Sequence, residues 1–217
     1  MADPNGRPVR VLIVDDEPMV CAFLRTILDG SGHVEVIGTA EDGAAAVESV
    51  IRDRPDVVLM DLRMPGVDGV AATAEVRSLP EPPVVVVMTT FDTDDHLLAA
   101  LDAGAAGYLL KSTPTSTLVQ LVLAAAAGAS VLSPEAVHRL RDLANSSTPT
   151  DPDPQLEALS GREREILALL GEGLSNADIA RRLYLSEGTI KGHVSRLMAD
   201  LDCQNRTQLA LRATASR

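Results

Sequence analysis

Asp15, Asp16, Asp61, Thr89 and Lys111 each stand where a short apolar run stops. Val11-Leu12-Ile13-Val14 runs into Asp15-Asp16, Val57-Val58-Leu59-Met60 into Asp61, the valine run through Met88 into Thr89, and Gly107-Tyr108-Leu109-Leu110 into Lys111. Short apolar runs separated by helical stretches read as buried parallel strands. In an open α/β sheet, ligands and chemistry gather outside the carboxyl ends of the strands. Three carboxylates, a hydroxyl and an ammonium would then meet along one edge. Such a carboxylate cluster repels itself unless a cation joins it, and an oxygen-only ligand set suits Mg²⁺. A nucleophilic carboxylate, a metal and donors for the transferred oxygens are the parts that phosphoryl chemistry needs. Each residue alone has a plainer reading. Asp15-Asp16 ahead of Pro18 fits an acidic helix N-terminus, Asp61 a loop acid before Pro65-Gly66, and Lys111 a solvated charge. Their coincidence at strand ends favours the chemical reading.

The elements that position these residues alternate strand and helix. Strands are predicted at 9–14, 34–39, 57–60, 84–89 and 107–110, and helices at 18–28, 43–52, 69–79, 94–103 and 115–127. Five βα units predict an α/β fold, a doubly wound five-stranded parallel sheet of flavodoxin-like order, within residues 1–130. Right-handed crossovers put the loop after every strand on the same edge. A short helix is predicted at 134–144. It is followed by a polar, proline-rich run, Asn145 to Pro154, that reads as a flexible linker, so residues 131–155 separate two domains.

Residues 156–217 read as a second, all-α domain. Ser160 with Glu163 three residues on has capping-box spacing, and Gly171 and Gly173 can end that helix. A second helix is predicted from Ser175 to Leu183, a tight turn at Tyr184-Leu185, a third helix capped by Ser186 and running to about Asp200, and a last one beginning near Asn205-Arg206-Thr207. Two short helices joined by a tight turn make a helix-turn-helix.

Composition narrows the function classes. Apolar residues make up 46% of the 217 and aromatics 2%, with no Trp, so the core is aliphatic and the composition disfavours stacking on bases as a binding mode. Cys21 and Cys203 read as free thiols in a reducing compartment. The first ten residues carry no signal-peptide apolar core, and no stretch approaches the ~18 apolar residues needed to span a bilayer. The expected location is therefore the cytoplasm, with no membrane partner. Residues 1–130 hold 8 Lys and Arg against 19 Asp and Glu, whereas 156–217 hold 9 against 8. Nucleic acid would thus be met by a local basic face of the second domain.

The strings Ile13-Val14-Asp15-Asp16-Glu17-Pro18, Met60-Asp61-Leu62-Arg63-Met64-Pro65-Gly66-Val67-Asp68-Gly69, Met88-Thr89-Thr90-Phe91 and Gly107-Tyr108-Leu109-Leu110-Lys111 resemble the receiver domain of bacterial two-component response regulators, over about residues 9–128. The resemblance implies that Asp61 accepts a phosphoryl group from the phosphohistidine of a sensor histidine kinase. It implies that Asp16 binds Mg²⁺ directly and Asp15 mostly through water, and that Asp61 and the backbone carbonyl of Arg63 complete the protein ligands. Lys111 would pair with a phosphoryl oxygen, Thr89 would move inward to bond another, and Tyr108 would follow by changing rotamer. The switched surface would include the helix at 94–103. Tyr108 also fits a packing residue on an edge strand. The long side chain of Arg63 is expected to shield the acyl phosphate from water.

The run Leu159-Ser160-Gly161-Arg162-Glu163-Arg164-Glu165-Ile166-Leu167, with Gly173-Leu174-Ser175-Asn176-Ala177-Asp178-Ile179-Ala180 and Leu185-Ser186-Glu187-Gly188-Thr189-Ile190-Lys191-Gly192-His193-Val194-Ser195-Arg196-Leu197, is similar to the LuxR-type helix-turn-helix of NarL/FixJ response regulators. That similarity makes 186–200 the recognition helix in a DNA major groove, with Lys191, Gly192, Ser195 and Arg196 on its exposed face. Lys191 can donate to guanine O6 and N7. Ser186, Thr189, Asn176, Arg206 and Thr207 are candidates for phosphate contacts, which position rather than specify. His193 reads as a helix-packing or phosphate-contact residue. Gly192 costs a helix interior roughly 1 kcal/mol against Ala. It either lets the backbone approach the groove or weakens base readout. A homodimer on two half-sites is the expected active form, with phosphorylation either releasing the module from the receiver or promoting receiver dimerisation. The reading is a transcription regulator rather than an enzyme. Its rivals are a phosphorylation-independent DNA-binding regulator, a phosphatase or phosphotransferase built on Asp61, a protein-binding adaptor, and, for residues 156–217 alone, a helical dimerisation domain. Phosphatases of the haloacid-dehalogenase type want a second acid where this chain has Arg63.

Overall fold

Valine and leucine build the sheet. β1 (Val9–Val14), β3 (Val57–Asp61) and β4 (Val84–Thr89) are buried at nearly every position, as strands covered by helices on both faces must be. The computed structural model describes residues 7–90, 94–132, 154–203 and 205–215. With β2 (Val34–Ala40), β5 (Gly107–Leu110) and β6 (Val131–Leu132), the strands form one sheet of order β2-β1-β3-β4-β5-β6, every neighbouring pair parallel. The five expected strands are present in doubly wound order.

The period-2 alternation of a strand sends Leu12 and Val14 to one face and Val11 and Ile13 to the other. The first face is covered by α2 (Gly43–Asp53), α3 (Gly69–Arg77) and α4 (Asp94–Asp102), through Val47, Val50, Ala72, Val76, Leu97 and Leu101. The second is covered by α1 (Pro18–Gly30) and α5 (Thr115–Ala126), through Leu24, Leu28, Leu118 and Val122.

The short strand β6 extends the expected five strands to six. Its residues Val131 and Leu132 pair with Gly107 and Tyr108. A side chain on Gly107 would come within 2.7 Å of the Val131 carbonyl, so the close pairing depends on glycine there. Because β6 flanks β5, Tyr108 lies in an interior strand and not at the sheet edge. The helix expected at 134–144 and the linker run up to residue 153 lie outside the described residues.

The second module begins with α6 (Pro154–Glu157) and continues through α7 (Gly161–Gly171), α8 (Asn176–Leu183), α9 (Glu187–Asp200) and α10 (Arg206–Ala215). Ser160 and Glu163 form the anticipated capping box, and Ser175 and Ser186 accept from the third backbone N–H of α8 and α9. Ile166, Leu170, Ile179, Ile190, Leu197 and Leu209 form its aliphatic core. Among the described residues no helix is long and apolar enough to cross a membrane.

Candidate functional site

The strand register brings the carboxyl ends together: Val14 pairs with Met60, Asp61 with Met88, and Thr89 with Leu110. Carboxylate oxygens of Asp15, Asp16 and Asp61 consequently lie within 4.8 Å of one another. Asp15 and Asp61 are buried, Asp16 is exposed, and the Lys111 backbone N–H donates to the Thr89 carbonyl at 2.7 Å. The Lys111 ammonium reaches between the two buried acids, 2.7 Å from Asp15 Oδ2 and 2.9 Å from Asp61 Oδ2. Burial works against its charge, but the hydrogen bonds to Asp15 and Asp61 and the attraction of their charges together hold its pKa above the ordinary lysine value. Burial pushes the Asp15 carboxyl up, against the pull of Lys111 and of the Glu17 N–H that donates to it at 3.0 Å. A cluster of hard oxygen donors so close together, one of them open to solvent, is chemically suited to a divalent cation. Thr89 and Tyr108 are both buried, on β4 and β5 beside this edge.

The loop after β3 is held at both ends by glycine. The Gly69 N–H donates to the Leu62 carbonyl at 3.1 Å, and a Cβ at Gly69 would fall 1.9 Å from the Asp61 carbonyl oxygen. The Gly43 N–H donates to the Val67 carbonyl at 3.1 Å, and a Cβ there would fall 2.7 Å from the same oxygen. The starts of α3 and α2 therefore press directly on the loop that carries Arg63, whose own N–H faces Asp61 Oδ1 at 3.4 Å. A cavity of about 620 Å³ opens there, lined by Asp16 and Arg63 together with Leu62, Met64, Pro65, Asp68 and Val70. Gly69→Ala is expected to cost roughly 3 kcal/mol, the upper end of overpacking, because the obstacle is backbone at the strand end. A urea midpoint equal to the parent's would contradict that.

The second module divides its candidate contacts into two groups. Ser186, the N-cap of α9, and Thr189, Lys191, Gly192, Ser195 and Arg196 on it are exposed. Lys191 lies 3.5 Å from Glu187, a surface pair too weak to withhold it from a ligand. A Cβ on Gly192 would meet nothing within 4 Å, so packing within the chain does not call for glycine. His193 is half-buried, and its Nδ1 has no hydrogen-bond partner among the described residues. Asn176, Arg206 and Thr207 form the other group. The Arg206 guanidinium donates to Asn176 Oδ1 and to the Leu174 carbonyl, and burial pulls its pKa down to about 10. It ties α10 to the start of α8. Asn176 and Thr207 are buried.

What covers Thr207 is the first domain. Its hydroxyl donates to the Ala106 carbonyl at 2.8 Å, Asn205 Nδ2 donates to the Leu101 carbonyl at 3.0 Å, and Gln208 Nε2 reaches the same carbonyl at 3.1 Å. Leu101 lies in the last turn of α4, and its carbonyl also accepts from the Gly104 N–H at 3.0 Å. The start of α10 therefore caps the end of α4. Sequence reading missed Asn205 and Gln208, because a polar residue at a helix start signals a cap, not the domain it touches.

Comparison with known proteins follows the same division. The family described as response regulator receiver domain matches residues 11–123, and that described as bacterial regulatory proteins, luxR family, matches 157–213. The chain is 38% identical over 218 residues to the probable transcriptional regulatory protein NarL of Mycobacterium tuberculosis, covering 100% of this chain and 99% of the relative. It is 35% identical over 209 residues to the transcriptional regulatory protein LiaR of Bacillus subtilis, covering 94% and 96%. Among solved structures it is similar to the response regulator ChrA of a heme-sensing two-component system, with 39% identity, a TM-score of 0.54, and 95% and 96% of the two chains covered. It is also similar to the response regulator RcsB in complex with DNA, with 28% identity, a TM-score of 0.56, and 97% and 99% covered.

Proposed function

The chain belongs to the two-component response regulators that join a receiver domain to a LuxR-family helix-turn-helix, and from that premise we propose that phosphorylation of Asp61 by a sensor histidine kinase switches its binding to double-stranded DNA. It is a two-component transcriptional regulator. The observation that carries the residue assignment is the convergence of Asp15, Asp16, Asp61 and Lys111 at one sheet edge. Residues 1–130 are the phosphoacceptor domain, 131–155 the connection, and 156–217 the DNA-binding domain.

A carboxylate oxygen of Asp61 attacks the phosphorus, an O–P bond forms, and the P–N bond to the kinase histidine breaks. Asp16, Asp61 and the Arg63 carbonyl would hold Mg²⁺, with Asp15 acting mostly through water, and the ion would supply charge neutralisation for that transfer. Lys111 and the Thr89 hydroxyl donate to the new phosphoryl oxygens, and Tyr108 follows Thr89. Arg63, exposed two residues after Asp61, screens the acyl phosphate from water. In Arg63→Ala the phosphoryl lifetime, followed by intact mass after donor removal, is expected to shorten several-fold. A longer lifetime would refute the screening role.

Output rests on α9 in the major groove, with Lys191 reading bases. Lys191, Gly192, Ser195 and Arg196 form its groove face, and Ser186, Thr189 and His193 approach phosphates. Asn176, Arg206 and Thr207 join the phosphate contacts only after α10 leaves the first domain, since Thr207 and Asn176 are buried in the closed arrangement. The active form is a homodimer on two half-sites, working in the cytoplasm. A solved structure of RcsB dimers bound to DNA, 25% identical with a TM-score of 0.57, supports that assembly. The test is selection from a random duplex pool with and without Mg²⁺ and a small phosphodonor. Tighter binding by the donor-treated form is expected. Equal affinity would establish phosphorylation-independent binding instead.

A further inference from the structure

Packing and backbone geometry both argue against a tyrosine at position 184. Tyr184 closes α8 in the left-handed conformation, φ 55 and ψ 43. Its N–H donates to the Arg181 carbonyl at 3.4 Å, and the Leu185 N–H donates to the Ala180 carbonyl at 2.9 Å. These are the paired bonds of a Schellman motif, whose left-handed position is usually Gly and sometimes Asn. A Cβ crowds the following carbonyl there, and an aromatic residue has no local hydrogen bond to offset the strain. Burial does not compensate, because Tyr184 is 95% exposed. It is also the sole aromatic residue of 154–217, in a chain with two Tyr, two Phe and no Trp.

A contact outside the chain accounts for a side chain disfavoured on both counts, and its position indicates the partner. Tyr184 stands two residues before Ser186, the N-cap of α9. In helix-turn-helix docking the N-terminal residues of the recognition helix approach base edges, so the residues just ahead of it meet the sugar-phosphate wall of the groove. Arg181 and Arg182 are exposed in the last turn of α8, and the Ser186 and Thr189 hydroxyls, 2.8 Å apart, follow on the other side. Exposed arginines on one flank, held by the weak surface pairs Arg181–Asp178 and Arg182–Glu172, and hydroxyls on the other suit an anionic backbone, and the tyrosine hydroxyl is among the donors that contact phosphate oxygens.

We propose that Tyr184 is a DNA-positioning residue whose hydroxyl donates to a backbone phosphate at the edge of the groove that α9 enters. This rests on the DNA-binding reading. A phosphate contact fixes depth and orientation without reading sequence, so its loss weakens all duplexes alike.

The experiment uses the full chain with Mg²⁺ and a small phosphodonor. The probes are a duplex that the parent recovers from a random pool and a scrambled duplex of equal length. Tyr184→Asn suits the left-handed turn and is expected to unfold at or above the parent's midpoint. Its Kd should nevertheless rise about threefold to tenfold on both duplexes, the worth of one hydrogen bond. Tyr184→Phe, which keeps the ring, should show most of that loss. Unchanged affinity in both variants overturns the proposal. Unchanged affinity with lost promoter activation also overturns it, and assigns the ring to a protein partner. A loss confined to the recovered duplex would make Tyr184 a base reader and likewise overturn it. A parent chain that recovers no duplex would sink the DNA-binding reading itself, a result distinct from any behaviour of the variants.

Discussion

Asp61→Asn will fold as the parent does and gain no phosphoryl group from Mg²⁺ and a small phosphodonor, where the parent gains one. The amide matches the carboxylate in shape at a site only 4% exposed, so the strand end and its neighbours need not move. What it removes is the nucleophile, since an acyl phosphate requires an ionised carboxylate oxygen. Lys111 loses the partner at 2.9 Å but keeps Asp15 at 2.7 Å, so the ammonium is not left buried and unpaired. Removing one of three carboxylates with oxygens within 4.8 Å of one another also relieves repulsion. Stability without a cation should therefore hold or rise, while the stabilisation that Mg²⁺ adds should shrink, because a ligand stabilises only in proportion to its affinity for the folded state. Intact mass reads the first effect, and unfolding midpoints with and without Mg²⁺ read the second. A variant that gains a phosphoryl group as the parent does would place the acceptor elsewhere and end the assignment of Asp61.

The acidic site was legible because strand ends are local signals. Each apolar run stops at a polar residue, and parallel topology then dictates that Asp15, Asp61, Thr89 and Lys111 share an edge. The sixth strand was not legible. Val131 and Leu132 make a run of two, shorter than any periodicity can register, and their pairing rests on the missing side chain of Gly107. Arg206 shows a different limit. An arginine at a helix start in a DNA-binding motif reads as a phosphate contact, and in the closed arrangement its guanidinium is bonded to the Asn176 side chain and the Leu174 carbonyl. Only tertiary packing decides which of those uses applies. The contact between the two modules depends on residues about 100 positions apart, Leu101 with Asn205 and Ala106 with Thr207, and no local pattern carries that information.

That contact leads to the second large expectation: Asn205→Asp will bind DNA tightly without a phosphodonor. Asn205 stands between two helix ends. Its Oδ1 accepts from the Gln208 N–H at 2.8 Å as the cap of α10, and its Nδ2 donates to the Leu101 carbonyl in the last turn of α4. Aspartate caps a helix as well as asparagine does, and its charge favours the N-terminus of α10, so the DNA-binding module keeps its stability. At the other end the same charge faces a carbonyl at the negative end of α4, where a donor has become a second acceptor. The carbonyl keeps its Gly104 and Gln208 donors, but a carboxylate oxygen left facing it without a donor costs about 1–3 kcal/mol, which corresponds to roughly a 5- to 150-fold shift towards the open arrangement. If only the open form offers Thr207 and Asn176 to phosphates, apparent affinity rises by that shift until the open fraction saturates. Linkage requires the converse, that DNA favours the open form. The measurement is Kd for a selected duplex without phosphodonor, parent against variant, beside the donor-treated parent as the upper limit. Affinity of the untreated variant equal to that of the untreated parent, with both folded, would show that the α4–α10 contact does not restrain DNA binding.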